Sequence, residues 1–424
     1  MRIGLYGSMA NNMYCLTKVL KKTGYDAYYI NDPTINHPTS FPIWEDVQFT
    51  LDHKKLEEST LTTEEWNTIA TEHGWQAPSW LVEPEALGRG SIKNYLAMAY
   101  RAATVPVRSS LSYYRMTAYF LRDKRVLIQH MAQYDWLILC GEGVMWAYFS
   151  GKPYTFIPFG GDIAISPYKT ETPYDRWVGA VLPRAVREAR VKGANLASAI
   201  DDLKKLGVKG EIPYLPFIVD TDRYSPRPET GAGLLPEDVR LRMQGKYVFL
   251  LPSRQDFYWK GTDKFLRAFA RAVQNGANIF LIVSRWGADV QKTETMIAEA
   301  GIQANVHYLE YMMSKPLLIQ FYNLVDVVVD QFAFIGYGTA ALEAMACAKP
   351  VMIGLDIASF KRCWPDYQEP PVINVDDEEG IYHALRQIAS GELDLKHMGE
   401  EARRWVVEHH GMGQVGRYLP QSRA

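Results

Sequence analysis

Residues 247–269 read YVFLLPSRQDFYWKGTDKFLRAF, and this segment carries the clearest structural signal in the chain. The β-branched and aromatic run over 247–251 predicts a strand, and the apolar spacing that follows predicts a helix over 262–274. Arg254 follows the strand and Lys260 stands at the helix entrance. Two cations and the amides of a helix start converge there, which predicts a site for a diphosphate. The alternative is a surface arginine and a helix-flanking lysine.

A second signal lies in residues 326–354, DVVVDQFAFIGYGTAALEAMACAKPVMIG. A predicted strand ends at Asp330 and leads through a glycine-rich turn into a helix. Backbone amides at Gly338 and Thr339 are predicted to face an anion at the start of that helix. Glu343, one turn further on, is predicted to accept hydrogen bonds from sugar hydroxyls. Its alternatives are an exposed helical glutamate and a buried cap partner.

Strand and helix patterns alternate on both sides of these segments, which predicts parallel α/β architecture. Other predicted strands cover 3–6, 26–30, 136–140, 154–157, 194–198, 279–283, 306–309, 327–330 and 350–353. Other predicted helices cover 14–22, 91–103, 111–121, 175–192 and 290–300. We therefore expect two Rossmann-like domains that face each other across a cleft, with ligands at the carboxyl ends of the strands.

The domain boundary is predicted from a segment rich in proline and glycine, PYLPFIVDTDRYSPRPETGAGLLPED at 213–238. We expect an N-terminal Rossmann-like domain over 1–212 and a linker region over 213–245. A C-terminal Rossmann-like domain over 246–400 would follow, with a helix or tail over 401–424 that returns to the first domain.

Composition excludes several classes of protein. The chain has 424 residues, of which 47% are hydrophobic and 22% charged, with a net charge of -2, as in soluble globular proteins. That charge gives no reason to expect nucleic acid as a partner. The four cysteines have no metal-ligand or disulfide-framework spacing, and the first 15 residues do not resemble a signal peptide. The cysteine pattern fits a reducing cytoplasm, where we expect the protein to lie. The apolar runs are too short to span a bilayer.

Charge is uneven in the first half of the chain. Residues 42–86 carry ten acidic and two basic side chains, whereas residues 87–134 carry eight basic side chains and one acidic. Arg108, Arg115 and Arg122 recur every seven residues among tyrosines in the basic segment. This mixture favours an interfacial helix at the inner face of a membrane, or contact with an anionic acceptor. The alternative is a solvated face paired with the acidic segment.

Together these features resemble the retaining GT-B glycosyltransferases of family 4. Four blocks match in the order of that family: the turn at Gly7 after the first strand, IPYLPFIVDTDRYSP at 212–226, the SR…KG block, and the EAMA…KPV block at 343–351. The resemblance spans nearly the whole chain, and the last two blocks are the most specific.

The resemblance implies that the N-terminal domain binds the acceptor and that the C-terminal domain binds the nucleotide-sugar donor. It also implies roles for individual residues. Arg254 and Lys260 would bind the donor diphosphate, and Glu343 would bind the ribose hydroxyls. The glycine-rich turn would contact donor phosphate and sugar through Gly336, Tyr337, Gly338 and Thr339. Gly7 and Ser8 would approach the diphosphate from the other domain.

The chain departs from the family pattern at two positions. A glutamate that commonly contacts the transferred sugar is replaced by Ile335, and a histidine beside the acceptor is replaced by Phe159. We therefore assign the polar catalytic role near the reacting centre to Asp162. The alternative for Asp162 is a helix cap or a turn-forming residue after the Gly160-Gly161 pair.

The sequence thus predicts a glycosyltransferase that transfers a sugar from a nucleoside diphosphate donor to a glycan or glycolipid hydroxyl, with retention. No set of metal ligands is recognised, so neither a metal nor another cofactor is expected. Two other classes stay open: a sugar-nucleotide epimerase or glycoside phosphorylase of the same fold, and a non-catalytic nucleotide-sugar binder. The sugar, the base, the linkage and the oligomeric state do not follow from the sequence.

Overall fold

The computed structural model describes residues 1–7, 9–32, 40–52, 62–84, 98–103, 111–228, 231–333 and 336–420. The chain forms two compact units. The first unit consists of Met1–Pro42, Gln76–Ile218 and Gln414–Ala424, and the second of Ile43–Trp75 and Val219–Gly413. Each unit contains a parallel sheet whose strands alternate with helices, so the predicted pair of Rossmann-like α/β domains is confirmed.

The strands, in chain order, are β1 (Arg2–Tyr6), β2 (Asp26–Ile30), β3 (Thr50–Asp52), β4 (Leu81–Val82), β5 (Trp136–Cys140), β6 (Tyr154–Ile157), β7 (Val191–Lys192), β8 (Tyr247–Leu251), β9 (Ile279–Ser284), β10 (Val306–Leu309), β11 (Tyr311–Met313), β12 (Val327–Val329), β13 (Val351–Ile353) and β14 (Ile373–Asn374).

The α-helices are α1 (Asn12–Lys22), α2 (Ile43–Asp46), α3 (Thr63–Glu72), α4 (Leu111–Asp123), α5 (Arg125–Met131), α6 (Gly143–Ser150), α7 (Gly161–Ala164), α8 (Pro173–Glu188), α9 (Ala197–Lys205), α10 (Glu237–Met243), α11 (Thr262–Gln274), α12 (Val290–Glu299), α13 (Lys315–Leu324), α14 (Thr339–Ala346), α15 (Ile357–Cys363), α16 (Glu378–Ser390) and α17 (Leu395–His409). Short 3₁₀ turns lie at Met9–Asn11, Ser166–Tyr168, Gly231–Leu234, Gln303–Asn305 and Met412–Tyr418. Residues 98–103 are also helical, and 91–97 of the helix predicted there lie outside the described residues.

The first unit is built on a sheet with strand order β4-β2-β1-β5-β6-β7, in which every pairing is parallel. All five residues of β5 are buried, as expected for a parallel strand covered on both faces. The chain places β2 on one side of β1 and β5 on the other, so the strand order reverses between β1 and β5. The loops after these two strands therefore meet at the edge where open α/β sheets bind ligands.

One strand prediction in this unit is wrong. The sequence predicts a strand over 194–198, whereas the structure places β7 earlier and starts α9 within that range. Ala194 forms an isolated bridge with Tyr214. The buried residues of α9 recur at helical spacing, and burial of this apolar face favours the helix.

The second unit is built on a sheet with strand order β10-β9-β8-β12-β13-β14, again with parallel pairings. The strand and helix predicted over 247–251 and 262–274 are confirmed as β8 and α11. Phe249, Phe265 and Phe269 are completely buried between them. This packing fixes the loop that joins β8 to α11.

The segment Ile43–Trp75 belongs to the second unit, although the sequence placed all of 1–212 in one domain. Its strand β3 pairs antiparallel with β11. The pairing continues where Phe49 N donates to Ser314 Oγ at 2.9 Å and Ser314 N donates to the Phe49 carbonyl at 3.2 Å. These hydrogen bonds attach the segment to the second unit, although it precedes most of the first unit in the sequence.

The end of the chain returns to the first unit after Gly413. Thr155 Oγ1 donates to the Tyr418 carbonyl at 2.6 Å, and the Tyr418 hydroxyl donates to the Pro216 carbonyl. α17 stays with the second unit, so the return starts later than residue 401, where the sequence placed it. The earlier crossing, between Ile218 and Val219, falls within the predicted linker region.

Candidate functional site

The carboxyl ends of β8 and β12 form the candidate site in the second unit. The two strands are neighbours, while β9 and β10 lie on the far side of β8, so the strand order reverses between β8 and β12. Such a reversal leaves a crevice in which ligands of open α/β sheets bind. The loop with Arg254 and Lys260 follows β8, and Asp330 follows β12, so both predicted segments begin at this crevice.

Lys260 lies at the centre of a hydrogen-bond network. Its Nζ donates to Gln331 Oε1 at 2.7 Å and lies 3.6 Å from Asp330 Oδ1. Its carbonyl accepts from Phe332 N at 2.7 Å, so both ends of the residue are tied to the segment after β12. The side chain is 21% exposed. An ammonium group has more donors than these contacts use, so Lys260 can also bind an anion.

Gly261 makes this arrangement possible at the start of α11. Its φ is +64°, in the left-handed region that favours glycine. A Cβ there would lie 3.0 Å from Ala333 N and 3.1 Å from the Phe332 carbonyl carbon. The position therefore needs glycine both for its backbone conformation and for the close approach of the segment after β12.

Two residues that the sequence analysis does not identify as functional, Asp330 and Gln331, connect the β8 loop to the glycine-rich turn. Asp330 is completely buried, and its carboxylate accepts from Ser253 Oγ at 3.3 Å and from Gly338 N at 3.0 Å. Gln331 Nε2 donates to the Gly336 carbonyl at 2.5 Å. The sequence did contain a signal that could have identified Asp330, namely a charged residue directly after an apolar strand. A carboxylate that is buried at such a position needs hydrogen-bond or ionic partners nearby.

The Gly338 amide does not have the surroundings predicted for it. The sequence predicts that it faces an anionic ligand, but in the structure it donates to Asp330. A Cβ at Gly338 would lie 2.5 Å from Asp330 Oδ2, which explains why glycine stands there. The glycine-rich turn is thus held against a carboxylate of the protein, and Thr339 begins α14 directly after it.

Tyr337, also predicted to bind the donor, has its side chain in the interior of the second unit. The ring is buried, and its hydroxyl is hydrogen-bonded to the Tyr367 hydroxyl. Phe360 and Trp405 pack against the ring at centroid distances of 5.8 and 5.9 Å. The phenol therefore anchors the turn within the unit.

Glu343 is buried in an ion pair. Lys315 Nζ donates to its two carboxylate oxygens at 2.6 and 2.7 Å, and the Tyr322 hydroxyl donates to Oε2 at 3.2 Å. Burial, followed by the nearby Glu343 carboxylate, raises the pKa of Tyr322, so the phenol remains a donor. Glu343 is therefore not an exposed helical glutamate. Sequence reasoning missed Lys315 because it stands at the start of α13, far from the EAMA segment.

Arg254 has different surroundings from Lys260. Its Nε lies 3.2 Å from Asp256 Oδ2, and its side chain is 43% exposed. Asp256 also accepts from Trp259 N at 2.8 Å, which braces the loop from within. The structure thus brings Lys260 together with Asp330 and the glycine-rich turn, and leaves Arg254 accessible to solutes in the same loop.

In the first unit, Gly7 directly follows β1. Its φ is +118°, and a Cβ there would lie 2.3 Å from Cys140 Sγ at the end of β5. The residue type therefore follows from the close approach of the two strands. Ser8, the other residue predicted here, lies outside the described residues.

Asp162 is 6% exposed, and both of its oxygens accept backbone hydrogen bonds. Phe159 N donates to Oδ1 at 3.0 Å, and Gly141 N donates to Oδ2 at 3.2 Å. Burial raises the pKa of Asp162 to about 6, although these amide hydrogen bonds act to lower it. This is the geometry expected of the turn-forming alternative, in which Asp162 fixes the loop after β5, and the catalytic role assigned to Asp162 stays a prediction.

The basic segment is described in part, because Arg108 lies outside the described residues. Arg115 and Arg122 lie on the exposed face of α4, and Tyr119 between them is 59% exposed. The Arg122 guanidinium lies 5.7 Å from the centroid of the Tyr119 ring. None of the helices in the described part of the chain is long and apolar enough to cross a lipid bilayer.

The segment that contains the second-unit site matches a known protein family. Residues 237–405 match the family of group 1 glycosyl transferases. This range includes Lys260, Asp330 and Glu343. No curated protein sequence matches the chain.

Several solved structures are similar over nearly the whole chain. HepE of Anabaena, in complex with UDP and glucose, has a TM-score of 0.61 at 14% identity, covering 98% of this chain and 97% of that chain. Sucrose-phosphate synthase of Thermosynechococcus elongatus has a TM-score of 0.57 at 12% identity, covering 98% and 96%. A glycosyltransferase of Rickettsia africae has a TM-score of 0.54 at 12% identity, covering 98% and 95%. The chain therefore has the predicted GT-B fold, and the family match lies within its second unit.

Proposed function

We propose that this protein transfers a sugar from a nucleoside diphosphate sugar to a hydroxyl of a glycan or glycolipid. The observation that carries the proposal is Lys260, a partly buried cation held at the strand-order reversal of a group 1 glycosyltransferase domain. The complex of HepE with UDP and glucose supports a donor of this class.

The chemistry of the leaving group gives Lys260 its role. As the glycosidic bond breaks, negative charge develops on the nucleoside diphosphate, and a donor already held in place stabilises that charge without further reorganisation. The contacts to Gln331 and Asp330 hold Nζ in place before the substrate arrives. Arg254 supplies a second cation in the same loop, and its exposure allows it to close on a bound diphosphate.

Glu343 is proposed to bind the ribose of the donor. Its carboxylate is oriented by Lys315 and Tyr322, and ionised carboxylates have lone pairs for several hydrogen bonds. Glu343 can therefore accept hydrogen bonds from ribose hydroxyls while Lys315 neutralises its charge.

Retention at the anomeric carbon and independence from metal are included in the proposal. The support for retention is the match of the SR…KG and EAMA…KPV blocks to retaining enzymes. The support for a reaction without metal is that Lys260 and Arg254 supply positive charge at the leaving group. Gly7 and Ser8 are assigned to the diphosphate on the same resemblance, which is also the support for a setting in polysaccharide or glycolipid assembly. The proposed location is the cytoplasm.

A panel of nucleotide sugars tests the proposal. We expect at least one donor to release its nucleoside diphosphate, with the sugar recovered on an acceptor or on water. Lys260→Gln should abolish most of this release, whereas Lys361→Gln, which changes an exposed lysine of the same unit, should not. Conversion of the donor to its epimer would identify an epimerase, and binding without turnover would identify a non-catalytic binder.

A further inference from the structure

The second unit contains a segment from the first half of the sequence, Ile43–Trp75, which we call the inserted segment. The structure describes its residues 43–52 and 62–75. The family match begins at residue 237, so the inserted segment lies outside it. Neither that match nor the residues predicted from the sequence give the inserted segment a role at the donor site.

Buried contacts attach the inserted segment to the second unit. Its helix α2 packs against α13. Glu45 of α2 is buried, and the Arg223 guanidinium donates to its Oε2 at 3.0 Å. Trp44 and Phe49 are also buried, and their rings meet edge to face at a centroid distance of 5.6 Å. The inserted segment is therefore part of the interior of this unit, and its position affects the elements packed against it.

Ser314, the residue directly before α13, forms a two-way hydrogen-bonded contact with the inserted segment. Phe49 N donates to Ser314 Oγ at 2.9 Å, and Ser314 N donates to the Phe49 carbonyl at 3.2 Å. A serine at this position usually accepts from the second or third amide of its own helix. The second residue of α13 is Pro316, which has no amide hydrogen, and among the described residues Ser314 makes no cap hydrogen bond to α13. Its hydroxyl oxygen holds the inserted segment instead.

The helix that starts at this contact carries both side chains that orient Glu343. Lys315 directly follows Ser314, and its Nζ donates to the two Glu343 oxygens at 2.6 and 2.7 Å. The Tyr322 hydroxyl donates to Oε2 at 3.2 Å. Seven residues make about two turns of an α-helix, so Lys315 and Tyr322 leave the same face of α13. A continuous series of contacts thus leads from Phe49 through Ser314 and Lys315 to the Glu343 carboxylate.

We propose that the inserted segment positions the Glu343 carboxylate for the donor ribose, with Ser314 as the positioning residue. The inference rests on the proposed function, which assigns the ribose to Glu343. When the inserted segment detaches, the start of α13 loses both hydrogen bonds to Phe49, and Lys315 loses the fixed backbone that aims it at Glu343. The attached state therefore binds a nucleoside diphosphate more tightly than the detached state. Because such coupling is reciprocal, bound nucleotide stabilises the attachment by the same factor.

A double-mutant cycle tests whether Ser314 acts through Glu343. UDP, GDP and ADP are titrated by calorimetry into the wild type, Ser314→Ala, Glu343→Gln and the double variant. We expect Ser314→Ala to weaken the binding of nucleotide about fivefold, because the buried amide of Phe49 loses its acceptor. In the Glu343→Gln background the same change should have no further effect. Equal weakening in both backgrounds would overturn the proposal. Ser390→Ala removes an exposed hydroxyl of the same unit and is the control, for which we expect unchanged affinity.

Hydrogen exchange on the wild type provides a second measurement, which decides the matter if Ser314→Ala does not fold. We expect exchange in the peptide that contains Phe49 to slow about fivefold when the protein is saturated with the nucleotide that binds best, because the nucleotide favours the attached state. Peptides from α1, in the first unit, should exchange at the same rate with and without nucleotide. Unchanged exchange at Phe49 in the saturated protein would overturn the proposal.

The outcomes separate this inference from the proposed function. Nucleotide binding that depends on Lys260 but is equal in the wild type and a folded Ser314→Ala would refute the inference and leave the proposed reaction standing. Failure of UDP, GDP and ADP to bind the wild type would refute both. Weakening by Ser314→Ala that disappears in the Glu343→Gln background, together with slower exchange at Phe49, would establish the inserted segment as part of the donor site.

Discussion

At the residue scale, the described contacts divide the predicted site residues into two groups. Lys260 and Glu343 are polar groups held in place by partners, and so they are suited to bind a substrate with little reorganisation. Tyr337, Gly338 and Asp162 instead use their polar atoms within the protein. Their contacts fix the position of neighbouring backbone.

Asp162 should make stability depend on pH. Its carboxyl has an ordinary pKa of 3.8, and burial raises the pKa in the folded protein to about 6. Between these values the folded state binds a proton that the unfolded state has lost, so stability falls as pH rises through this window and levels off above it. Asp162→Asn should remove a change on the order of 2–3 kcal/mol between about pH 4 and pH 7. Urea unfolding over that range measures it, and identical pH slopes in the two proteins would contradict this account.

Glu343→Gln should destabilise the second unit as well as weaken nucleotide binding. Glu343 and Lys315 are only 9% and 15% exposed, and removing one charge of a buried pair costs on the order of 3 kcal/mol. The double variant with Lys315→Met should recover much of that stability but not the affinity for a nucleoside diphosphate. Urea unfolding and calorimetry on the three proteins separate the two effects. Normal affinity in the double variant would leave Glu343 with a structural role alone.

At the element scale, the junction between the β8 loop and α11 holds the second-unit site together. Gly261→Ala should cost more than Gly276→Ala, although both residues have positive φ. A Cβ at Gly276 meets nothing within 4 Å, whereas at Gly261 it meets the backbone of Ala333. We expect Gly261→Ala to lower the free energy of unfolding by on the order of 1–2 kcal/mol more than Gly276→Ala does, and to lower turnover as well. If thermal unfolding shows equal losses of stability for the two variants, the segment after β12 does not pack closely against Gly261.

The exposed face of α4 is proposed to meet an anionic membrane surface. Arg115 and Arg122 flank the exposed ring of Tyr119, and each arginine near an anionic leaflet contributes about 1 kcal/mol. Sedimentation with vesicles containing phosphatidylserine should show binding at low salt that declines at high salt. The pair Arg115→Gln and Arg122→Gln should weaken it, and Arg184→Gln on α8 is the control. Indifference of the parent protein to these vesicles would favour a solvated face.

At the scale of the whole molecule, local patterns predicted the elements and missed the pairings between distant residues. β8 and α11 were predictable because strand propensity and helical spacing are properties of adjacent residues. The pairing of β3 with β11 and the contact of Lys315 with Glu343 join positions that no local pattern relates. Asp330 shows the same limit, since its partners come from two separate loops.

The proposed donor site was predictable to the extent that its residues form continuous blocks. Arg254, Lys260 and Glu343 lie in such blocks, so the resemblance to a known family identifies them from the sequence alone. The pocket at the carboxyl ends of β1 and β5 is assembled from separate elements, including Asp32, Lys124 and Glu142, and only the fold brings these side chains to one wall. No local pattern in the sequence therefore indicates this pocket.

The central claim is that the crevice at β8 and β12 binds the diphosphate of a nucleotide donor, and calorimetric titration tests it most directly. UDP, GDP and ADP are titrated into the wild type, Lys260→Gln and the exposed-lysine control Lys361→Gln. We expect at least one nucleoside diphosphate to bind the wild type and the control alike and to bind Lys260→Gln roughly tenfold or more weakly, since a charge-assisted hydrogen bond is lost. Equal affinity of the wild type and a folded Lys260→Gln, or no binding of any of the three nucleotides, would contradict it.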